Sequence, residues 1–267
     1  QGDPEPTHLA VRRPHLVLEN SPPFGFRAGL RARPFFWGLR GKIRVLSHEP
    51  TERTVEVGVP PARGFDVFCL PIIDWGFRFQ RPQQLLMPFA QDGHRVFYGR
   101  TGLLGLDREP TVRELADRVY EVGLPGEFDF DLYAGELEGE TLEQAAGGVD
   151  ALVSRLGIGP AVCLVQYPSW EPLARRLRER YGWAVVYDCM DEHSGFGTHG
   201  PQTARDEARL IAESDLVLAT SRLLFERIVR AGREPAAVLR LPNAVDLAPF
   251  SRLPPRETSP LARLPRP

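Results

Sequence analysis

Residues 61–247 predict an α/β domain built on a mostly parallel sheet with helices on both faces, preceded by an irregular extension. Three observations carry the prediction. Short apolar runs such as Phe65–Leu70, Ala161–Gln166 and Ala184–Cys189 have the length and β-rich composition of buried strands. Between them lie stretches of helical length that end at Gly93, Gly157, Gly182 and Gly232. Strands that alternate with helices imply right-handed crossovers and therefore parallel pairing.

Taken in order, Phe65–Leu70 is the first strand. Pro82–Gln91 reads as a helix with proline in its first turn, which Pro88 should kink or shorten. Arg95–Gly99 and Val119–Gly123 follow as strands. Thr141 with Gln144 forms a capping box for a helix that reaches Leu156. After the strand Ala161–Gln166, Ser169 caps a helix over Trp170–Tyr181. Ala184–Cys189 is the next strand, and Thr203 with Asp206 caps a helix to about Ser214. Leu216–Ala219 is a strand, Ser221 caps the helix Arg222–Arg230, and Val238–Leu241 is the last strand.

Residues 1–60 have a different character. The opening is proline-rich, and residues 22–46 carry Arg27, Arg31, Arg33, Arg40, Lys42 and Arg44 without an acid, interleaved with Phe24, Phe26, Phe35, Phe36 and Trp37. A segment of this kind suits an anionic membrane surface; packing on its own domain or on a neighbour is the equal alternative. Ile43–Ser47 and Thr54–Val59 read as a short hairpin. Residues 248–267 are proline-rich and aperiodic, as expected of an interdomain linker. The domain organisation is thus an unassigned extension (1–60), an α/β domain (61–247) and a linker (248–267).

The bulk composition narrows the function. The 267-residue chain is 42% hydrophobic, enough for a sizeable core, and its formal charge of -2 gives no overall attraction to nucleic acid. Cys69, Cys163 and Cys189 are far apart, and each lies inside an apolar run. They predict reduced, buried thiols of a cytoplasmic protein, with neither zinc spacing nor a disulfide framework. No run approaches the ~18 apolar residues of a membrane span. The chain starts at Gln1 and its methionines are Met87 and Met190, so the expectation is a processed or truncated amino terminus.

Chemistry is expected at the carboxyl ends of the strands, where open α/β sheets bind ligands. After the first strand come Asp74, Trp75, Arg78, Gln80 and Arg81, with Gln84 at the helix start. Arginine forks and a helix amino terminus suit a phosphorylated ligand; the alternative is a loop packed by Trp75, Phe77 and Phe79 whose arginines serve the fold. Asp188, Asp191 and His193 end another strand and could do acid–base work, or cap the following loop. Metal binding is not expected, since no second histidine or acid cluster completes a shell. Tyr167 and Trp170 could stack on a sugar or base, or pack against a helix. Asn243 stands where the sheet gives way to linker. The chain has no Gly-x-Gly-x-x-Gly after the first strand, no P-loop and no Gly-x-Ser-x-Gly elbow.

The order Gln80-Arg-Pro-Gln-Gln-Leu, Gly93-His-Arg-Val, Val186-Tyr-Asp-Cys-Met-Asp, Ser214-Asp-Leu-Val-Leu-Ala-Thr-Ser221 and Pro242-Asn-Ala-Val-Asp246 with Phe250 resembles the amino-terminal half of family 4-type glycosyltransferases of the GT-B fold. The resemblance spans about Phe65 to Phe250. It implies a Rossmann-like domain and a metal-independent transfer from a nucleotide sugar, with retention of anomeric configuration and no cofactor beyond that co-substrate. In such enzymes the amino-terminal domain holds the acceptor, and a carboxy-terminal domain binds the donor and supplies a glutamate pair. That second domain is expected to be missing here, which would leave the isolated chain inactive.

The candidate catalytic residues are thus Asp188, Asp191 and His193, and the candidate substrate-binding residues are Asp74, Trp75, Arg78, Gln80, Arg81, Gln84, Tyr167, Trp170 and Asn243. Three positions depart from the family pattern. Trp75-Gly-Phe-Arg-Phe-Gln replaces a glycine-rich loop, Asp188 stands where many relatives have histidine, and Ala244 replaces a common glycine. The implied partners are a nucleotide-sugar donor and a carbohydrate or lipid-linked acceptor, at the inner face of a membrane during cell-envelope polysaccharide synthesis. A non-catalytic sugar- or nucleotide-binding module is the rival reading.

Overall fold

A computed structural model of the chain describes residues 64–193 and 201–244. The expected extension and hairpin in residues 1–60, the linker, and the motif residues Asp246 and Phe250 lie outside the described residues. Described residues up to Asn243 belong to one compact unit.

The elements run β1 (Asp66–Leu70), α1 (Arg81–Gln91), β2 (Val96–Gly99), β3 (Thr111–Ala116), β4 (Val119–Gly123), α2 (Gly139–Leu156), β5 (Ala161–Val165), α3 (Glu171–Tyr181), β6 (Ala184–Cys189), α4 (Pro201–Glu213), β7 (Leu216–Ala219), α5 (Arg222–Arg230) and β8 (Val238–Arg240). They form an eight-stranded sheet in the order β3-β4-β2-β1-β5-β6-β7-β8. Every pairing is parallel except that of β3 with β4. The expected fold class holds.

Alternate residues of each buried strand point to opposite faces. Phe68, Leu70, Cys163, Val165, Tyr187 and Cys189 join residues of α2, α3, α4 and α5 in one apolar cluster. Val67, Cys69, Val162, Leu164 and Val186 join Leu86 and Ala90 of α1 in the other. Both faces are covered, which explains why β1, β5 and β6 read as unbroken apolar runs. Helices stop where glycine takes the left-handed conformation, Gly157 (φ 58°) after α2 and Gly182 (φ 66°) after α3.

Several local expectations need correction. Strand β3 was not anticipated: its Arg113 and Glu114 face solvent, and a register shift breaks its alternation. Such charges and bulges protect an edge strand from further pairing, and they also hide it from pattern reading. Thr141 and Gln144 do not cap α2, which begins earlier at Gly139; Thr141 is buried and Gln144 donates to Asp107 (3.2 Å). Ser169 lies within a 3-10 turn over Pro168–Trp170 that leads into α3. Thr203 and Asp206 are buried inside α4, which starts at Pro201. In α2 and α4 the polar pair thus falls inside the helix rather than at its start. Helix α1 runs through Pro88 to Gln91; so close to the helix end, proline costs one internal hydrogen bond. No helix among the described residues is long and apolar enough to cross a membrane.

Candidate functional site

The strand order reverses beside β1: the chain moves from β1 to β2 on one side and returns to β5 on the other. Open α/β sheets bind ligands at such a switch point, at the carboxyl ends of the strands.

The loop at 71–80 forms one wall, and its backbone is held by side chains from four places in the chain. Trp170 Nε1 donates to Pro71 O (2.8 Å), Tyr133 Oη to Ile72 O (2.5 Å), Tyr98 Oη to Ile73 O (2.6 Å) and Gln83 Nε2 to Trp75 O (2.8 Å). Gln83 Oε1 also accepts from Gln80 N (2.9 Å), closing the start of α1. Asp74 Oδ1 accepts from both Thr101 N and Thr101 Oγ1 (3.0 Å each). The Trp75 ring packs edge-on to Tyr98 at 5.0 Å. With the carbonyls of Pro71, Ile72, Ile73 and Trp75 satisfied in this way, the first half of the loop is a fixed platform.

Arg81 and Asp188 form the floor. Arg81 Nε lies 3.0 Å from both Asp188 oxygens, and Nη2 lies 2.7 Å from Oδ1. The remaining nitrogen, Nη1, donates to Leu241 O (2.9 Å) and Asn243 Oδ1 (3.3 Å). Asp188 is fully buried, and burial pushes its carboxyl above the ordinary value while Arg81 pulls it back. The buried Gln166 amide lies beside Asp188 and helps keep it charged, although neither of its polar atoms reaches hydrogen-bond geometry with a described group.

Beyond the end of β6, Asp191 is exposed whereas His193 is buried, its ring edge-on to Tyr167 at 5.1 Å. Tyr167 is buried too and meets Tyr133 edge-on at 5.2 Å; burial pushes its hydroxyl up to about 12, so it stays protonated. Thr220 Oγ1 donates to Met190 O (2.6 Å), and Arg227 pairs with both Glu192 and Glu207 (3.2 Å each). No group of three or more His, Cys, Asp or Glu side chains among the described residues is arranged to hold a metal ion.

No family model and no curated protein matches the chain. Solved structures do resemble it in part. Sucrose-phosphate synthase from Thermosynechococcus elongatus aligns at a TM-score of 0.49 and 16% identity, covering 69% of this chain and 49% of that one. A trehalose-phosphate synthase from Burkholderia vietnamiensis aligns at 0.42 and 14%, covering 67% and 48%. The catalytic domain of starch synthase IV from Arabidopsis thaliana aligns at 0.41 and 10%, covering 69% and 52%. This chain thus spans about half the length of these structures.

The fold gathers Asp74, Trp75, Arg78, Gln80, Arg81, Gln84, Asp188, Asp191 and Asn243 along one sheet edge, in different states. Arg78 is exposed, stacks over Phe77 (5.1 Å) and pairs with no described acid. Gln80 is exposed and Gln84 half-buried. Arg81 and Asp188, each expected to meet a ligand, hold one another. Tyr167 and Trp170 are buried packing groups rather than exposed stacking platforms. Of the loop aromatics, Trp75 packs and Phe77 and Phe79 face solvent. Sequence reasoning missed Gln83, Tyr98, Tyr133 and Gln166. Gln83 alone left a signal, as a polar residue on the inward stripe of α1 with Leu86 and Ala90.

Proposed function

We propose that this chain supplies the acceptor-side domain of a retaining, nucleotide-sugar-dependent glycosyltransferase, whose active site is completed by a second α/β domain beyond Asn243. The observation that carries the reading is that Arg78, Asp191 and Asn243 follow the parallel strands β1, β6 and β8 at one carboxyl edge of the sheet, where side chains hold the carbonyls of Pro71, Ile72, Ile73 and Trp75. The motif order along the chain supports the same reading.

A nucleotide sugar reacts by loss of its diphosphate, so negative charge grows on phosphate oxygens in the transition state. A preorganised cation there lowers the barrier. Arg78 has that role: its guanidinium is charged, exposed and rests on Phe77. Asp191 accepts a hydrogen bond from an acceptor hydroxyl. Arg81 and Asp188 satisfy each other and position the loop and Asn243 rather than touching substrate. His193 is buried against Tyr167 and supports the loop after β6. The acceptor is a carbohydrate or lipid-linked sugar of the cell envelope, met on the cytoplasmic side.

The test uses the full-length protein with a panel of labelled nucleotide sugars and sugar acceptors. Incorporation is expected, and Arg78→Ala should lower turnover about tenfold to a hundredfold, the loss of one charge-assisted contact of ~1.5–3 kcal/mol. Its circular dichroism and urea unfolding should be unchanged. Undiminished turnover in Arg78→Ala would sink the assignment of that residue. Binding without transfer from any donor would favour a non-catalytic sugar-binding module.

A further inference from the structure

Two loops at the carboxyl edge carry aromatic rings that the fold does not bury. Phe77 and Phe79 on the 71–80 loop are 63% and 60% exposed; Phe128 and Tyr133 on the 124–138 loop are 75% and 44% exposed. Exposed apolar groups gathered on one rim mark an interaction surface. The backbone beneath them is fixed. Tyr133 ties one loop to the other through Ile72 O. Phe77 N donates to Asp74 O (3.1 Å), and Phe130 N to Glu127 O (3.2 Å), which leaves Phe128 at the tip of a turn. The Phe130 ring lies 5.8 Å from that of buried Trp170 and anchors that turn.

The charge on the rim selects among occupants. Residues 124–138 carry Glu127, Asp129, Asp131, Glu136 and Glu138 with no lysine or arginine, and none of the five pairs with a described cation. An anionic bilayer attracts basic segments at ~1 kcal/mol per Lys or Arg and would repel this loop. A phosphate at this acidic loop would be repelled likewise; Arg78, the cation between Phe77 and Phe79, lies on the other loop with its guanidinium over the Phe77 ring. Aromatic rings beside carboxylates instead suit a neutral sugar chain: the C–H face of each ring stacks on an apolar plate, and its hydroxyls donate to the acids.

We propose that this rim, from Phe77 across Tyr133 to Phe128, binds a neutral glycan chain several units long. Resting on the glycosyltransferase reading, the acceptor is then an oligosaccharide or polysaccharide held away from its reacting end, rather than a free monosaccharide or sugar phosphate.

Affinity electrophoresis of the full chain through gels containing glycogen, a soluble β-glucan, a mannan or a galactan tests this, with phosphatidylglycerol vesicles assayed by co-sedimentation. Retardation by at least one of these glycans is expected. Phe77→Ser/Phe128→Ser should raise the apparent Kd at least tenfold with an unchanged thermal unfolding midpoint; if that double variant misfolds, Phe128→Ser alone should raise it severalfold. Retardation by no glycan, retardation that survives both variants, or sedimentation with the vesicles would each overturn the inference. The assay needs neither donor nor turnover. A chain that binds glycan and transfers nothing defeats the glycosyltransferase reading alone; one that transfers sugar and binds no glycan defeats this inference alone.

Discussion

Arg81 and Asp188, 107 residues apart in the chain, meet end to side in a buried ion pair with a closest approach of 2.7 Å. The pair joins three elements, since Arg81 opens α1, Asp188 lies in β6 and the remaining guanidinium nitrogen holds the chain leaving β8 at Leu241 and Asn243. A buried pair of this kind is weak evidence of net stability, because desolvating both charges offsets most of their attraction. Its effect is geometric: it fixes where the chain leaves the sheet, at the boundary of the compact unit.

Removing one partner should expose that cost. Arg81→Ala leaves the Asp188 carboxylate buried without a counter-charge, and a loss of about 3–5 kcal/mol is expected. Asp188→Asn should cost less, because Arg81 keeps Leu241 O and Asn243 and retains some contact with solvent. Urea unfolding of the two variants checks the order. Equal costs would mean that the hydrogen bonds matter and the charge does not.

Much of the fold was legible because a sheet covered on both faces writes its strands as apolar runs. Helix α5 was read to the residue, from the Ser221 cap to Gly232, because both of its ends carry local chemistry. Strand β3 was not, since an edge strand is held by its neighbour and disguised by Arg113 and Glu114. The site divides along the same line. That Arg81 and Asp188 would stand at strand ends was visible, but that they would meet depends on β5 lying between β1 and β6, which no local pattern records. Trp170 and Tyr133 donate to the 71–80 loop from 99 and 61 residues away, and each looks locally like any other aromatic residue.

Acid should stabilise the packing of α4. Asp206 is buried, accepts from Gln202 Nε2 (2.9 Å), and burial followed by the nearby Glu171 pushes its carboxyl up to about 6. Its folded value lies above its unfolded one, so its stabilising contribution is complete below the unfolded value near 4 and is lost as pH rises through 6. Asp206→Asn should therefore stabilise the protein above pH ~6.5, by up to about 3 kcal/mol, and have little effect near pH 4. Thermal unfolding across that range measures the difference. A gap that is constant with pH would count against titration of this group.

Helix α5 offers a simpler check. Ser221 Oγ accepts from Leu224 N at 3.2 Å, satisfying one of the free amides of the first turn. Ser221→Ala should cost ~1 kcal/mol, and Ser221→Gly only a few tenths. The same order is expected in amide exchange of the first turn of α5, which should quicken more in the alanine variant.

The last expectation joins stability to the site. Gln83 is fully buried, and its amide serves the loop at both ends, donating to Trp75 O and accepting from Gln80 N. Gln83→Leu keeps the volume but leaves both backbone groups without their partner. Because this loop borders solvent, water can reach part of it, and the cost should be about 1–3 kcal/mol. Gln83→Glu keeps both the acceptor for Gln80 N and the length of the side chain, so its damage should concentrate at Trp75 O. Amide exchange should therefore quicken across 75–80 in Gln83→Leu and less so in Gln83→Glu. The Trp75 ring should also loosen from Tyr98, read as a change in tryptophan fluorescence. If the 71–80 loop owed its form to Tyr98, Tyr133 and Trp170 alone, Gln83→Leu would lower global stability without loosening those six residues.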